Sequence, residues 1–258
     1  MQTLKIIKIG GNIIDEPTVL SAFLKDFATL EGPKILVHGG GKLASKMAER
    51  LEVPVKMHNG RRITDAETLE IITMVYAGKI NKTIIAQLQA NQCNAIGLTG
   101  SDGNAIISEK RAVNQIDFGF VGDVKAVNTD SLDLLIDNNI TPVFCAITHD
   151  ESGQLLNTNA DTIASELAIA FTKNFRTELY YCFEKNGVLK DVSDDDSVIE
   201  TIDSKYYQKL IEEHIIADGM LPKLTNCFNA IEKNVSKVCV GKPSMLFQSD
   251  SIYTTLIK

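Results

Sequence analysis

Two glycine-rich turns carry the plainest chemical signal in the sequence. Gly39-Gly40-Gly41 is entered from the apolar run Lys34 to His38 and left through Lys42-Leu43-Ala44-Ser45-Lys46. Strand, tight turn and helix in that order leave the N–H groups of a first helical turn unpaired at the positive end of the helix dipole. An anion can sit there directly on the main chain. Lys8-Ile9-Gly10-Gly11-Asn12 repeats the pattern after the run Leu4 to Ile9. Two such strand ends could flank one polyphosphate. Taken alone, Gly39-Gly40-Gly41-Lys42-Leu43-Ala44 also satisfies the dinucleotide pattern G-x-G-x-x-A, and a glycine turn can serve simply to pack a helix closely on its strand. The company of Lys8 favours the phosphate reading.

Further polar residues stand where elements begin. Asn59-Gly60 suits the positive φ angles of a type I′ turn, so 53–64 reads as a hairpin whose outgoing strand points Arg61 and Arg62 to opposite faces. One of them faces a ligand if the hairpin is a lid. Leu156-Asn157-Thr158-Asn159-Ala160-Asp161 opens a helix, where a first-turn carboxylate and capping asparagines have an ordinary stabilising role. Lys223, near the start of a helix that follows Asp218-Gly219-Met220-Leu221-Pro222, is electrostatically misplaced there. A broken local rule of this kind marks a candidate site.

The elements that must position these residues alternate in βαβ fashion. A helix over 17–30 carries Leu20, Phe23, Leu24 and Phe27 at helical spacing. A helix from Asp65 to about Asn91 precedes the strand 95–98, and short alternating segments at 105–109 and 119–127 read as a small antiparallel excursion. The run 141–147 reads as one buried strand, and strands at 178–183, 237–241 and 251–257 complete the sheet. The 258 residues suit one large α/β domain or two lobes sharing a sheet. A net charge of −7 argues against nucleic acid or an anionic membrane as main partner. With no signal-peptide core and no apolar run long enough to span a bilayer, the expected location is cytoplasmic. The five scattered cysteines read as reduced core thiols, and His38, His58, His149 and His214 show no metal-ligand spacing, so no protein-held metal is expected.

In this order Lys8-Ile9-Gly10-Gly11, Val37-His38-Gly39-Gly40-Gly41, Asn59-Gly60-Arg61-Arg62-Ile63-Thr64, Asn157-Thr158-Asn159-Ala160-Asp161 and Asp218-Gly219-Met220-Leu221-Pro222-Lys223 resemble the amino acid kinase family, over nearly the whole chain. The likeness is to its acylglutamate-phosphorylating members. It implies an open, mainly parallel sheet sandwiched between helices, with an amino-acid substrate lobe at 1–176 that includes the hairpin lid, and a nucleotide-binding lobe at 177–258, both sharing one continuous sheet. The implied reaction is ATP-dependent phosphorylation of the γ-carboxylate of N-acetyl-L-glutamate to an acyl phosphate, in arginine synthesis, with Mg²⁺ on the ATP phosphates and a homodimer as the expected assembly. By the same resemblance Lys8 and Lys223 neutralise the phosphoryl group, Asp161 holds both ammonium groups, and main-chain N–H groups of Gly11 and Gly40 bind its oxygens. Gly39, Gly40, Arg62, Asn157 and Asn159 bind the substrate, with Arg62 clamping its α-carboxylate. Lys8, Gly10, Gly11, Glu184, Gly187 and Lys223 bind the nucleotide.

The sequence departs from the family pattern in places. Phe183-Glu184-Lys185 stands where relatives carry Ser/Thr-Asp-Val, and Tyr253-Thr254-Thr255 replaces their Gly-Thr. Arg61 replaces an apolar residue, and the added charge suits a more anionic acyl group such as succinyl, or only a solvated surface. The helix that precedes the first strand in arginine-inhibited relatives is missing here, so insensitivity to arginine is expected. An NADP-dependent dehydrogenase using the Gly39 turn, and a non-catalytic nucleotide sensor, are the rival readings from other classes.

Overall fold

The computed structural model describes residues 1–213, 215–216 and 220–258. Buried apolar runs form its strands. β1 (Thr3–Ile9) stops at Gly10, where the short α1 (Gly11–Asp15) begins, and α2 (Pro17–Thr29) returns the chain to β2 (Lys34–His38) and α3 (Gly41–Arg50). The hairpin of β3 (Lys56–His58) and β4 (Arg61–Ile63) follows. Next come α4 (Ala66–Thr73), a π-helical turn Met74–Ile80 and α5 (Asn81–Ala90), a continuous helical rod that leads to β5 (Ala95–Leu98). Then come β6 (Ile106–Lys110), β7 (Gly122–Val127), α6 (Thr129–Asp137), β8 (Thr141–Phe144), β9 (Ile147–His149), β10 (Leu155–Asn157) and α7 (Ala160–Ala170). The remaining elements are β11 (Arg176–Cys182), β12 (Thr201–Ile202), α8 (Ser204–Glu212), α9 (Leu221–Glu232), β13 (Lys237–Gly241) and β14 (Thr254–Leu256).

Among the described residues the main sheet runs β12-β14-β13-β11-β1-β2-β8-β5 and is parallel except for the pair β13 and β14. It is open, as expected, and helices cover it. Ile9 lies opposite both His38 and Cys182, so the two glycine turns leave adjacent strands at the same end of the sheet. β2 is buried along its whole length, even at Lys34, whose ammonium donates to the carbonyls of Phe27, Ala28 and Leu30 at 2.9, 3.3 and 2.6 Å. That lysine caps the C-terminal end of α2, and burial lowers its pKa.

The hairpin forms as its turn chemistry requires, with positive φ at both Asn59 (47°) and Gly60 (73°). Arg61 is exposed and Arg62 buried, on opposite faces. The run expected as one strand over 141–147 is two. The chain leaves the main sheet after Phe144 and enters a second, four-stranded sheet, β10-β9-β6-β7, at Ile147. Cys145 and Ala146, at the crossing, are as buried as their neighbours, so hydrophobicity leaves no mark of the switch. The expected antiparallel excursion is therefore a larger sheet that also recruits β10. All five cysteines are buried and unpaired by disulfides.

Candidate active site

At the exit of β1, Lys8 reaches toward the first turn of α7. Its Nζ lies 2.8 Å from Asp161 Oδ1, and Lys223 Nζ, from the first turn of α9, lies 3.4 Å from Asp161 Oδ2. One carboxylate thus bridges two ammonium groups that come from β1 and α9, far apart in the chain. Burial pushes the Asp161 pKa up, but Lys8 and then Lys223 outweigh it and bring the group down to about 2, so it is ionised at neutral pH. The misplaced lysine has its explanation here. Besides Asp161, the Lys223 ammonium lies 5.6 Å from the ring centroids of both Tyr181 and Phe183, whose negative faces suit a cation. Phe183 is the first of the three departures at 183–185, and it is part of the seat of Lys223. Tyr181 also donates from its hydroxyl to the Asp161 carbonyl at 2.9 Å, fixing the start of α7.

Beside this trio opens a cleft of about 620 Å³ lined by Gly39, Gly40, Gly41, Arg62, Asn157, Asn159, Asp161 and Lys223. The substrate residues read from the sequence are therefore together. Arg62 donates from Nη2 to the Gly41 carbonyl (3.0 Å) and Ser45 Oγ (2.8 Å), while its Nη1 is buried with no hydrogen-bond partner. A buried guanidinium donor without an acceptor is costly, and a carboxylate in the cleft would remove that cost. Asn159 caps α7, accepting from the N–H groups of Asp161 (2.7 Å) and Thr162 (3.2 Å), which leaves its amide N–H groups for a ligand. Asn157 donates to Thr64 Oγ1 at 3.0 Å and so ties β10 to the end of the β3–β4 hairpin.

The nucleotide residues gather less tightly. Gly10 and Gly11 form the start of α1, and a Cβ at Gly10 would stand 3.9 Å from Lys8 Nζ. Glu184 is exposed and accepts from Asn12 Nδ2 at 2.7 Å; Asn12 in turn accepts from Lys42 Nζ at 2.8 Å. This chain of contacts links both glycine turns to the segment that follows β11. Gly187 has a packing reason of its own, since a Cβ would fall 2.5 Å from Thr254 Oγ1. Asp218 and Gly219, in the motif before Lys223, lie outside the described residues, as does His214.

Sequence reasoning missed Arg111, which with Arg61 and Arg62 also lines the cleft. Arg111 pairs with Asp123 on β7, Nη2 to Oδ1 at 2.5 Å. Nothing in the sequence joins position 111 to 61; the segment at Phe118 and Gly119 does so, with the Phe118 ring 5.5 Å from the Arg111 guanidinium and 6.2 Å from His58, and Gly119 bridged to Thr64. A smaller cavity of about 380 Å³ lies at the opposite ends of the strands, around Lys34 and Thr141, away from these groups.

A model described as the amino acid kinase family matches residues 3–242. The chain belongs to that family. Among amino acid kinases it is 55% identical over 249 residues to the acetylglutamate kinase of Cytophaga hutchinsonii, covering 96% of this chain and 94% of that one. It is 52% identical over 248 residues to the acetylglutamate kinase of Parabacteroides distasonis, covering 96% and 97%. The crystal structure of smu.665 from Streptococcus mutans UA159 has a TM-score of 0.79 at 24% identity over 98% of both chains, a likeness of fold. As an amino acid kinase the chain is a phosphotransferase, and the dehydrogenase reading of the Gly39 turn has no support. Among the described residues no group of His, Cys, Asp and Glu is arranged to hold a metal ion. Asp161 faces two ammonium groups and Glu184 an amide, so this donor set suits a magnesium ion carried by nucleotide phosphates and completed by water.

Proposed function

We propose that the protein phosphorylates the γ-carboxylate of N-acetyl-L-glutamate with ATP, forming an acyl phosphate and ADP in arginine biosynthesis. The bridge from Lys8 through Asp161 to Lys223 is the observation that carries this reading. In the reaction a γ-carboxylate oxygen bonds to the γ-phosphorus while the bond from that phosphorus to the β,γ-bridging oxygen breaks, and ADP leaves with the electron pair. Charge spreads over the oxygens of the transferring group, so fixed cations and N–H groups do most of the catalysis. Lys8 comes from one side and Lys223 from the other. Asp161 keeps the two like charges close together before substrate arrives and, already ionised, is no proton acceptor. None is needed, because the attacking carboxylate is ionised at neutral pH. Gly11 and Gly40 supply N–H groups, Arg62 takes the α-carboxylate, and Asn157 and Asn159 take the remaining polar atoms of the acylglutamate.

Residues 1–176 carry the amino-acid substrate and 177–258 the nucleotide, with Mg²⁺ arriving on ATP. A homodimer is the proposed assembly. Lys82 and Gln89 cover the outer carbonyls of β5 at Gly97 and Ala95, so the exposed apolar side chains of Ile96 on β5 and Met74 on the helical rod, rather than strand pairing, favour a second copy as partner. Three arginines around the cleft favour a second reading of the acyl group, as succinyl. An acetyl group needs no cation, whereas a terminal carboxylate would pair with Arg61 or the outer face of Arg111.

Trapping the acyl phosphate as a hydroxamate, with N-acetyl- and N-succinyl-L-glutamate in parallel, tests both readings. Lys8→Ala should lower kcat about 10²–10³-fold. Absence of product from both compounds, despite ATP binding, refutes the acylglutamate reading and leaves another carboxylate substrate or a nucleotide sensor.

A further inference from the structure

The imidazole beneath the Gly39 turn is used by no step above, although it is fully buried at the end of β2. His38 Nδ1 lies 2.8 Å from the Gly39 carbonyl oxygen, an atom that only accepts, so Nδ1 carries the proton. Its Nε2 is then an acceptor and takes an N–H from Asn81 Nδ2 at 3.1 Å. The other Asn81 hydrogen goes to the Val143 carbonyl on β8 at 3.0 Å, and Lys82 Nζ donates to Asn81 Oδ1 at 3.2 Å. One arrangement of protons satisfies the whole set.

In a trans peptide the C=O and the following N–H point in opposite directions. Holding the Gly39 carbonyl against His38 therefore turns the Gly40 N–H away from the core, toward the cleft. The π-helical turn explains why Asn81 is in reach. It ends at Ile80, and the same turn presses Tyr76 and Ile80 against Gly40, where a Cβ would collide with Ile80 Cδ1.

We infer that His38 and Asn81 are positioning residues of the phosphoryl-transfer site, aiming the Gly40 N–H at the transferring group through the Gly39 carbonyl. The inference deepens the kinase reading and rests on it. Hydroxamate trapping on the full chain tests it, with His38→Ala, His38→Asn, His38→Gln and Asn81→Leu. His38→Ala should lower kcat about 100-fold, the loss expected for a catalytic group displaced by ~1 Å, while KM for ATP stays within about threefold. Asn at 38 places an amide N–H where Nδ1 stood and should recover most of that loss; Gln places it one atom further and should not. Asn81→Leu, which removes both donors, should fall with His38→Ala. Equal activity of the Asn and Gln variants, or full kcat in Asn81→Leu with only a lowered Tm, overturns the inference. Should His38→Ala fail to fold, the Asn and Gln pair still decides. If the wild type makes no acyl phosphate, the kinase reading fails separately. The Gly40 amide resonance of ¹⁵N-labelled protein, titrated with MgATP, then reads the positioning: a shift in wild type and His38→Asn but not in His38→Gln supports it, and equal shifts in all three overturn it.

Discussion

Asp161 lies between two ammonium groups, and its consequences are electrostatic first. Asp161→Asn keeps the shape and removes the charge, leaving Lys8 and Lys223 facing each other without a counterion. Breaking a buried pair costs about 3–5 kcal/mol, and partial exposure of this trio reduces the expected loss to about 2 kcal/mol, read from urea midpoints. Turnover should fall with it. His38 gives a sharper pH signature, because burial holds its pKa at about 4 against an ordinary 6.5. The folded state binds the proton less readily than the unfolded chain. Its contribution to stability is therefore complete above about pH 6.5 and declines as pH falls toward 4, by roughly 1 kcal/mol per pH unit. A His38→Asn protein should lose that slope between pH 6.5 and 4 in a series of urea melts, and an unchanged slope would contradict the assignment. Asp161 adds a second loss only lower, below its ordinary 3.8 and toward about 2.

Elements decide how close the main chain comes to a ligand. Gly40 is crossed by the helical rod, so Gly40→Ala forces the new methyl onto Ile80; overpacking of this kind costs about 1–3 kcal/mol. Ile80→Val removes the colliding Cδ1 and should relieve part of that cost, a coupling that a double-mutant cycle on Tm would register and simple additivity would refute. The glycine turns and the Asn59-Gly60 hairpin were legible in the sequence because each is fixed by local backbone chemistry. So was the suspicion about Lys223, a cation at the wrong end of a helix. The π-helical turn was not, because the partners of Tyr76, Ile80 and the following Asn81 are Gly40 and His38, remote in sequence. Nor was the sheet switch after Phe144, where a uniformly apolar run hides a change of partner.

Across the whole molecule, the mainly parallel character of the sheet was legible from βαβ grammar but its strand order was not, and the meeting of Arg61, Arg62 and Arg111 follows from tertiary pairing that no spacing encodes. Assembly offers a test at this scale: Ile96→Lys, at the exposed apolar side chain of β5, should shift sedimentation from dimer to monomer, and a wild type that already sediments as a monomer would refute the proposed partner. One more property follows from the place of β11. It pairs with β1 in parallel from Thr3↔Arg176 to Ile9↔Cys182 and with β13 on its other side, so the proposed division into substrate and nucleotide lobes falls within a hydrogen-bonded ladder. There is no hinge at that seam. Cutting the chain at 175 would yield two fragments, each with a raw strand edge that invites the other. They should recombine into an active enzyme when expressed together and aggregate when expressed apart, because the ladder between β1 and β11 needs both.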